Sequence, residues 1–237
     1  YVNMFKDVAL NWPQFRNQIT NIDVAGVKAC GKKASELLYP RKAYESEPEQ
    51  DKSYINSTLN AQPTTLGCSL GVYSIFKDAG FKPDFVAGHS LGELAALTAA
   101  GCISKDDVAE LVWHRAIAMS TGGADNIVGD DVEMKTSTKG GMAAVLGKGA
   151  ANIEPMTENV YVANRNAPQQ LVISGEASAV LRESSRLANQ GFKVVPLKVG
   201  DAFHTPFMKD AETTFSTKVR SVGLRKPTAG VTVYSNV

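Results

Sequence analysis

The stretch Phe85-Val86-Ala87-Gly88-His89-Ser90-Leu91-Gly92-Glu93 decides how the rest of the chain is read. Its short apolar run predicts a strand, and the alanine-rich Leu94–Ala100 that follows predicts a helix. Ser90 falls at the junction. Glycines two residues to either side remove side chains that would block so tight a reversal, leaving the hydroxyl exposed above the strand end. A helix starting at the serine directs free N–H groups and partial positive charge toward an oxyanion forming beside it. This is the pattern of a nucleophile elbow. The plainer reading of the same string is a tight turn whose serine caps a helix.

Working outward, 237 residues with a hydrophobic fraction of 43% suit one large domain or a domain carrying a smaller insert. A formal net charge of +1 gives no electrostatic reason to expect nucleic acid or an anionic membrane as a partner. No run approaches the roughly 20 apolar residues of a bilayer span, and no basic-then-apolar leader opens the sequence, so the cytoplasm is the expected location. Cys30, Cys68 and Cys102 are odd in number and lack C-x-x-C spacing, which points to buried thiols rather than a disulfide framework or a metal site. Tyr1 in place of a starting methionine reads as a fragment or a processed chain.

Before the elbow, Tyr1–Ile22 reads as helix broken at Pro13, and Val27–Leu38 as a second short helix. Arg41–Ser57 is charged and weakly periodic, which reads as a surface loop. Gln62-Pro63 is expected to open a helix that Gly80 stops. After the elbow, Ser104 with Asp107 resembles a capping box, and a helix from about Lys105 to Met119 follows. Arg115 lies close to its apolar face. It is either a snorkelling surface residue or, if the face borders a cleft, a bidentate grip for a carboxylate.

Thr121–Gly141 reads as a linker. Beyond it come a strand at Met142–Leu146, a short helix at Ala151–Glu158, and strands at Val160–Ala163 and Leu171–Ser174. A helix at Ala177–Asn189 and a strand at Phe192–Val199 complete the order βαββαβ, which can build a ferredoxin-like subdomain. Pro206 begins a helix to about Val222, and Val231–Tyr234 is a last strand. The fold class expected is α/β: a hydrolase-like subdomain with a parallel sheet over residues 1–140 and 200–237, and the ferredoxin-like subdomain over residues 141–199.

A serine hydroxyl needs a base to act as a nucleophile at neutral pH, and three histidines are available. His89 adjoins Ser90 and suits a helix-start or packing role. His114 sits within the Ser104-capped helix and suits the surface or core edge. His204, in Asp201-Ala202-Phe203-His204-Thr205-Pro206, lies on a loop between strand and helix, where catalytic side chains tend to be presented. On this chemistry His204 is the preferred base. Asp201 is too near in sequence to serve as its orienting acid, which favours a Ser–His dyad.

At these residues the sequence resembles the malonyl-CoA:acyl carrier protein transacylases and the acyltransferase domains of fatty acid and polyketide synthases. The shared points are Ala61-Gln62-Pro63, Gly88–Glu93, Arg115, Gly141–Leu146, Asn164–Gln170, Phe203–Pro206 and Tyr234-Ser235-Asn236. Tyr39–Glu45 through Glu49-Gln50 looks most like the acyltransferase domain of polyunsaturated fatty acid synthases. The resemblance implies that Ser90 is acylated, that His204 is general base and then acid, and that Arg115 clamps the free carboxylate of a malonyl group. It implies substrate contacts from Gln62, Met119, Asn164 and Phe203. Leu91 and Phe203 resemble selectivity positions that go with malonyl, because a phenyl ring beside the α-carbon crowds a methyl branch. It also implies malonyl-CoA as substrate, phosphopantetheine carried by an acyl carrier protein as acceptor, further synthase domains as neighbours, and no bound cofactor or metal.

Two features of the family are missing from this sequence: an opening strand with a Gly-Gln-Gly loop that supplies part of the oxyanion hole, so that the resemblance assigns the Leu91 N–H as the one oxyanion donor present, and a later segment whose carbonyl orients the histidine. The chain is therefore expected to be trimmed at both ends, and to be slow or inactive alone. Two rival functions use the same elbow: a thioesterase or lipase-like hydrolase with water as final acceptor, and a non-catalytic docking domain of a synthase.

Overall fold

The computed structural model describes residues 1–40, 54–122, 140–197, 199 and 201–235. These divide into two compact units. The larger comprises Tyr1–Ala118 and the described residues from Thr214 on; the smaller takes in Met119 to 122 and 140 to Thr213.

The larger unit opens with helices α1 (Lys6–Asn11), α2 (Pro13–Cys30) and α3 (Ala34–Leu38). The second helix expected from Val27 does not exist as such, because nothing between Ile22 and Cys30 stops α2. Pro13 is harmless at the first position of α2, where its missing N–H has no acceptor to serve. Gly31, at φ 72°, ends α2 and donates its N–H to the Val27 carbonyl. Residues 41–53 of the expected surface loop lie outside the described residues, and Tyr54–Asn56 form a 3-10 turn.

Helix α4 (Thr58–Asp78) begins one turn earlier than Gln62-Pro63 suggested, so Pro63 sits inside it and Gln62 on its second turn. Pro63 has no N–H for the ladder, and the Thr64 hydroxyl donates to the Asn60 carbonyl at 2.8 Å. Strand β1 (Phe85–Ala87) leads through the elbow into α5 (Gly92–Ala99), and α6 runs over Lys105–Thr121. The capping box is real: Ser104 Oγ accepts from the Asp107 N–H at 3.1 Å and donates to Asp107 Oδ2 at 2.6 Å. Trp113, fully buried, fixes α6 against α2 by donating its indole N–H to the Ile22 carbonyl at 2.8 Å.

The smaller unit contains strands β2 (Gly140–Leu146), β3 (Val160–Ala167) and β4 (Gln170–Glu176), helix α7 (Ala177–Asn189) and strand β5 (Lys193–Pro196). The sheet order is β3-β4-β2-β5, with every neighbouring pair antiparallel. That is the strand arrangement of a ferredoxin-like fold. Its first helix is reduced, however: Ala151–Glu158 yields only a 3-10 turn at Ala150–Asn152. Pro155 removes a donor there, and the Arg165 guanidinium donates to the Ala151 and Ile153 carbonyls that a helix would use. The joining segment Asn164–Gln170 is mostly strand, closed by the two-residue turn Pro168-Gln169, with register shifts between Val162 and Asn164 and between Arg165 and Ala167. Ala143, Val145, Leu171 and Ile173 pack with Ala179, Val180 and Leu187 of α7 to form this unit's core.

Helix α8 (Lys209–Ser221) follows a separate 3-10 turn at Pro206–Met208, and strand β6 (Thr232–Tyr234) pairs in parallel with β1, Val86 opposite Val233. Both valines, with Phe215 and Val219 of α8, pack on the core built around Leu66, Leu94, Leu111 and Trp113. The chain is thus an α/β protein with a parallel strand pair under the elbow and a ferredoxin-like insert. No helix among the described residues is long and apolar enough to cross a membrane.

Candidate active site

The elbow is built by backbone contact. Ser90 holds φ 53°, a left-handed conformation disfavoured for a residue with a Cβ, and so carries its hydroxyl out of the turn. The two flanking glycines are not equivalent. A Cβ on Gly88 would fall 2.0 Å from the carbonyl carbon and oxygen of Gly92, whereas one on Gly92 would meet nothing within 4 Å. Only Gly88 is required for space, which corrects the symmetric reading of the pair. The turn is closed by Gly92 N–H donating to the His89 carbonyl at 2.9 Å and Glu93 N–H to the Ser90 carbonyl at 3.1 Å. Leu91 already has helical angles, φ −54° and ψ −35°, so α5 begins immediately past the serine rather than at it. Among the described residues the Leu91 N–H has no acceptor.

Arg115 comes from the third turn of α6. Its Nη2 donates to Ser90 Oγ at 3.1 Å, and its Nη1 donates to Gln62 Oε1 of α4. Gln62 is 7% exposed. Burial pushes the Arg115 guanidinium below its ordinary pKa, and the negative charge of Glu93 opposes that shift. The surface-snorkelling alternative for Arg115 therefore does not hold: three segments far apart in sequence bring a buried amide, a cation and a hydroxyl to one point. Sequence reasoning misses Glu93 as a partner of Arg115; the available signal is its place in the first turn of α5, three residues after the serine.

The remaining predicted residues belong to the smaller unit. His204 is exposed, on the loop after β5, and has φ 58°. The loop is held locally: Thr205 Oγ1 donates to the Ala202 carbonyl at 2.7 Å and accepts from the Phe207 N–H at 3.3 Å. Phe203 beside it is half-buried. Asn164 is half-buried on β3 at the register shift, and Met119 lies one turn past Arg115 on α6, also half-buried. His89 is exposed and His114 half-buried. Among the described residues no group of three or more His, Cys, Asp or Glu is placed to hold a metal ion.

A serine on a strained strand-to-helix elbow, hydrogen-bonded to a half-buried guanidinium in an α/β chain with a ferredoxin-like insert, defines the class of α/β proteins built around a Gly-x-Ser-x-Gly elbow. Within that class the chain belongs to the acyl transferase domain family, whose signature covers residues 10–237. It is 45% identical over its whole length to part of one of the polyunsaturated fatty acid synthase subunits of Thraustochytrium sp., of which it spans 8%. It is 36% identical to the malonyl CoA-acyl carrier protein transacylase of Bacillus subtilis over 80% of this chain and 58% of that protein. The acyl-carrier-protein-S-malonyltransferase of Bartonella henselae superposes with a TM-score of 0.80 at 28% identity, covering 100% of this chain and 70% of that one. The chain thus spans 8% and 58% of the two curated relatives.

Proposed function

We propose that this chain transfers a malonyl group from malonyl-CoA to the phosphopantetheine thiol of an acyl carrier protein, within a cytoplasmic multidomain synthase making fatty acid or polyketide chains. His204 takes the Ser90 proton as Oγ attacks the thioester carbonyl. The carbonyl oxygen gains negative charge opposite the Leu91 N–H. The C–S bond then breaks, and coenzyme A leaves with the proton held by His204. In the second half-reaction the carrier thiol gives its proton to His204, attacks the malonyl ester, and Ser90 recovers its proton as the C–O bond breaks. The first leaving group and the final acceptor are both thiols, weak bases as thiolates, and the proton that His204 takes from the carrier thiol is the one the departing serine oxygen needs, so a Ser–His dyad suffices without a third, acidic member.

The observation that carries this reading is the hydrogen bond from Arg115 to the Ser90 hydroxyl. A guanidinium that close to the acylated oxygen suits a short diacid, whose free carboxylate lies only two bonds beyond the acyl carbon. A neutral acetyl group gains nothing from it, and a longer diacid overshoots. Gln62 holds the guanidinium on its other side, while Met119, Asn164 and Phe203 are assigned to the substrate's surroundings, Phe203 against a branched α-carbon. The names of the relatives support the same chemistry.

The test is acyl loading by intact mass, with malonyl-CoA and acetyl-CoA offered separately. A malonyl adduct absent in both Ser90→Ala and His204→Ala, and discharged by a holo carrier protein, is the expected result. Release as free malonate without a carrier would make the chain a hydrolase, and no adduct in the unaltered chain would remove the acyl-serine step.

A further inference from the structure

At the opposite end of β1 from Ser90 the larger unit carries two adjoining cavities of about 530 and 250 Å³. Both are lined by Tyr73, Lys77, Thr98 and Gly101. The larger adds Lys82 and Asp84, and the smaller adds Lys105 and Arg225. The cations come from four places in the chain: the last turn of α4, the loop before β1, the first residue of α6, and the segment before β6. None of the four takes part in an ion pair or a side-chain hydrogen bond among the described residues. Some other cations among the described residues are matched, Lys33 with Glu36, Arg186 with Glu183 and Lys218 with Glu110. Asp84 is the only carboxylate among the described residues that line either cavity.

We propose that these cavities form a second ligand site, separate from the acyl-serine centre, that binds a diphosphate ester such as a nucleoside diphosphate. A concave surface with an excess of one sign, here four cations against Asp84, concentrates oppositely charged ligands, and ammonium and guanidinium groups suit phosphoryl oxygens. The two lobes share Lys77, so two linked phosphoryl groups are each met by their own cation, Lys82 in one lobe and Lys105 with Arg225 in the other, with Lys77 between them. Phe81, which also lines the larger lobe, is 56% exposed and braced edge-on by Phe76 at 6.1 Å. It offers a flat apolar surface at the lobe's mouth for a base or similar ring. The strand separates this place from the elbow: Asp84 precedes β1, and Ser90 follows it.

The test is calorimetric titration of the chain with ADP, pyrophosphate and coenzyme A, in parallel with Lys77→Gln/Arg225→Gln, with Lys82→Gln/Lys105→Gln, and with Arg115→Ala. The expected result is saturable ADP and pyrophosphate binding, tighter for ADP. Either charge-neutralised pair should weaken it at least tenfold, high salt should weaken it too, and Arg115→Ala should leave it unchanged. Malonyl loading of Ser90 persists in both pairs, which separates this site from the acyl-transfer reading. Two pairs are used so that a loss of folding in one leaves the other informative. Absence of saturable ADP and pyrophosphate binding, equal affinity in both pairs, or loss only in Arg115→Ala overturns the proposal. If coenzyme A alone binds and its binding follows Arg115, the phosphates are being read at the acyl-serine centre instead.

Discussion

The guanidinium of Arg115 donates to the hydroxyl of Ser90 across 3.1 Å, joining the third turn of α6 to the elbow after β1. The cation thus rests on the side chain proposed as the nucleophile. In the proposed reaction an incoming carboxylate replaces the neutral hydroxyl as its partner and frees the serine for its base.

Replacing Arg115 by Ala should cut malonyl loading by about 3 kcal/mol of transition-state stabilisation, roughly a hundredfold in kcat/KM, while acetyl loading changes by less than about tenfold. Arg115→Lys should recover only part of the loss, since an ammonium cannot grip a carboxylate bidentately. Parallel kinetics with the two thioesters check this, and equal losses for both would remove Arg115 from carboxylate recognition.

Gln62 accepts from the other arm of the same guanidinium and is 7% exposed. Gln62→Ala leaves Arg115 one acceptor short in a buried setting, at a cost of about 1 to 3 kcal/mol in malonyl selectivity. Gln62→Glu should act differently: its fixed negative charge competes with the substrate carboxylate and raises KM for malonyl-CoA more than it lowers kcat. Steady-state kinetics of the two variants separate the effects.

The glycines of the elbow should respond unequally. Gly88→Ala places a methyl group 2.0 Å from the Gly92 backbone and should destabilise the larger unit by about 3 kcal/mol, or block its folding. Gly92→Ala meets nothing within 4 Å and lies at the first position of α5, so its melting temperature should be unchanged or slightly higher. Thermal unfolding of the two variants decides whether the elbow is crowded on one side only.

Glu183, fully buried in the smaller unit, accepts from Thr157 Oγ1 at 2.6 Å, from the Met156 N–H, and from Arg186 at 2.6 and 3.1 Å. The Arg186 hydrogen bonds, aided by Thr157 and Met156 and opposed by burial, hold its carboxyl at about 2, well below the ordinary 4.5. A depressed folded pKa contributes stability that is present above 4.5 and is lost as the pH falls toward 2. The contribution is about 3 kcal/mol. Chemical denaturation between pH 6 and 2.5 should show that loss, and Glu183→Gln should flatten it.

Elements with strong local signals were legible in the sequence. The elbow strand, the Ser104 capping box and α7 stand where periodicity and capping residues put them, because each depends on contacts within a few residues. Errors arose where distant contacts compete with local preference. The expected helix at Ala151–Glu158 yields to Arg165, a residue more than ten positions away that takes its carbonyls. Asn164–Ala167 has the composition of a loop, yet pairing with β4 extends it into strand. Gln62-Pro63 has the form of a helix start because Pro favours that position, yet packing of α4 against α2 and α3 carries the helix back to Thr58.

By itself the sequence determined the chemistry available, a serine at a Gly-His-Ser-Leu-Gly turn and an arginine on the following helix, together with the insert's four strands and its helix α7. Tertiary structure decided which of these act together. Arg115 was readable as a surface cation or a carboxylate clamp, and no spacing rule separates the two, because the answer depends on where α4 and α6 pass the elbow. The fold puts Gln62, Arg115 and Ser90, 53 residues apart at their widest, within hydrogen-bonding range and largely out of water. A charge is stable in such a place only when partnered, and the partners are set by packing between elements, which the linear order does not contain.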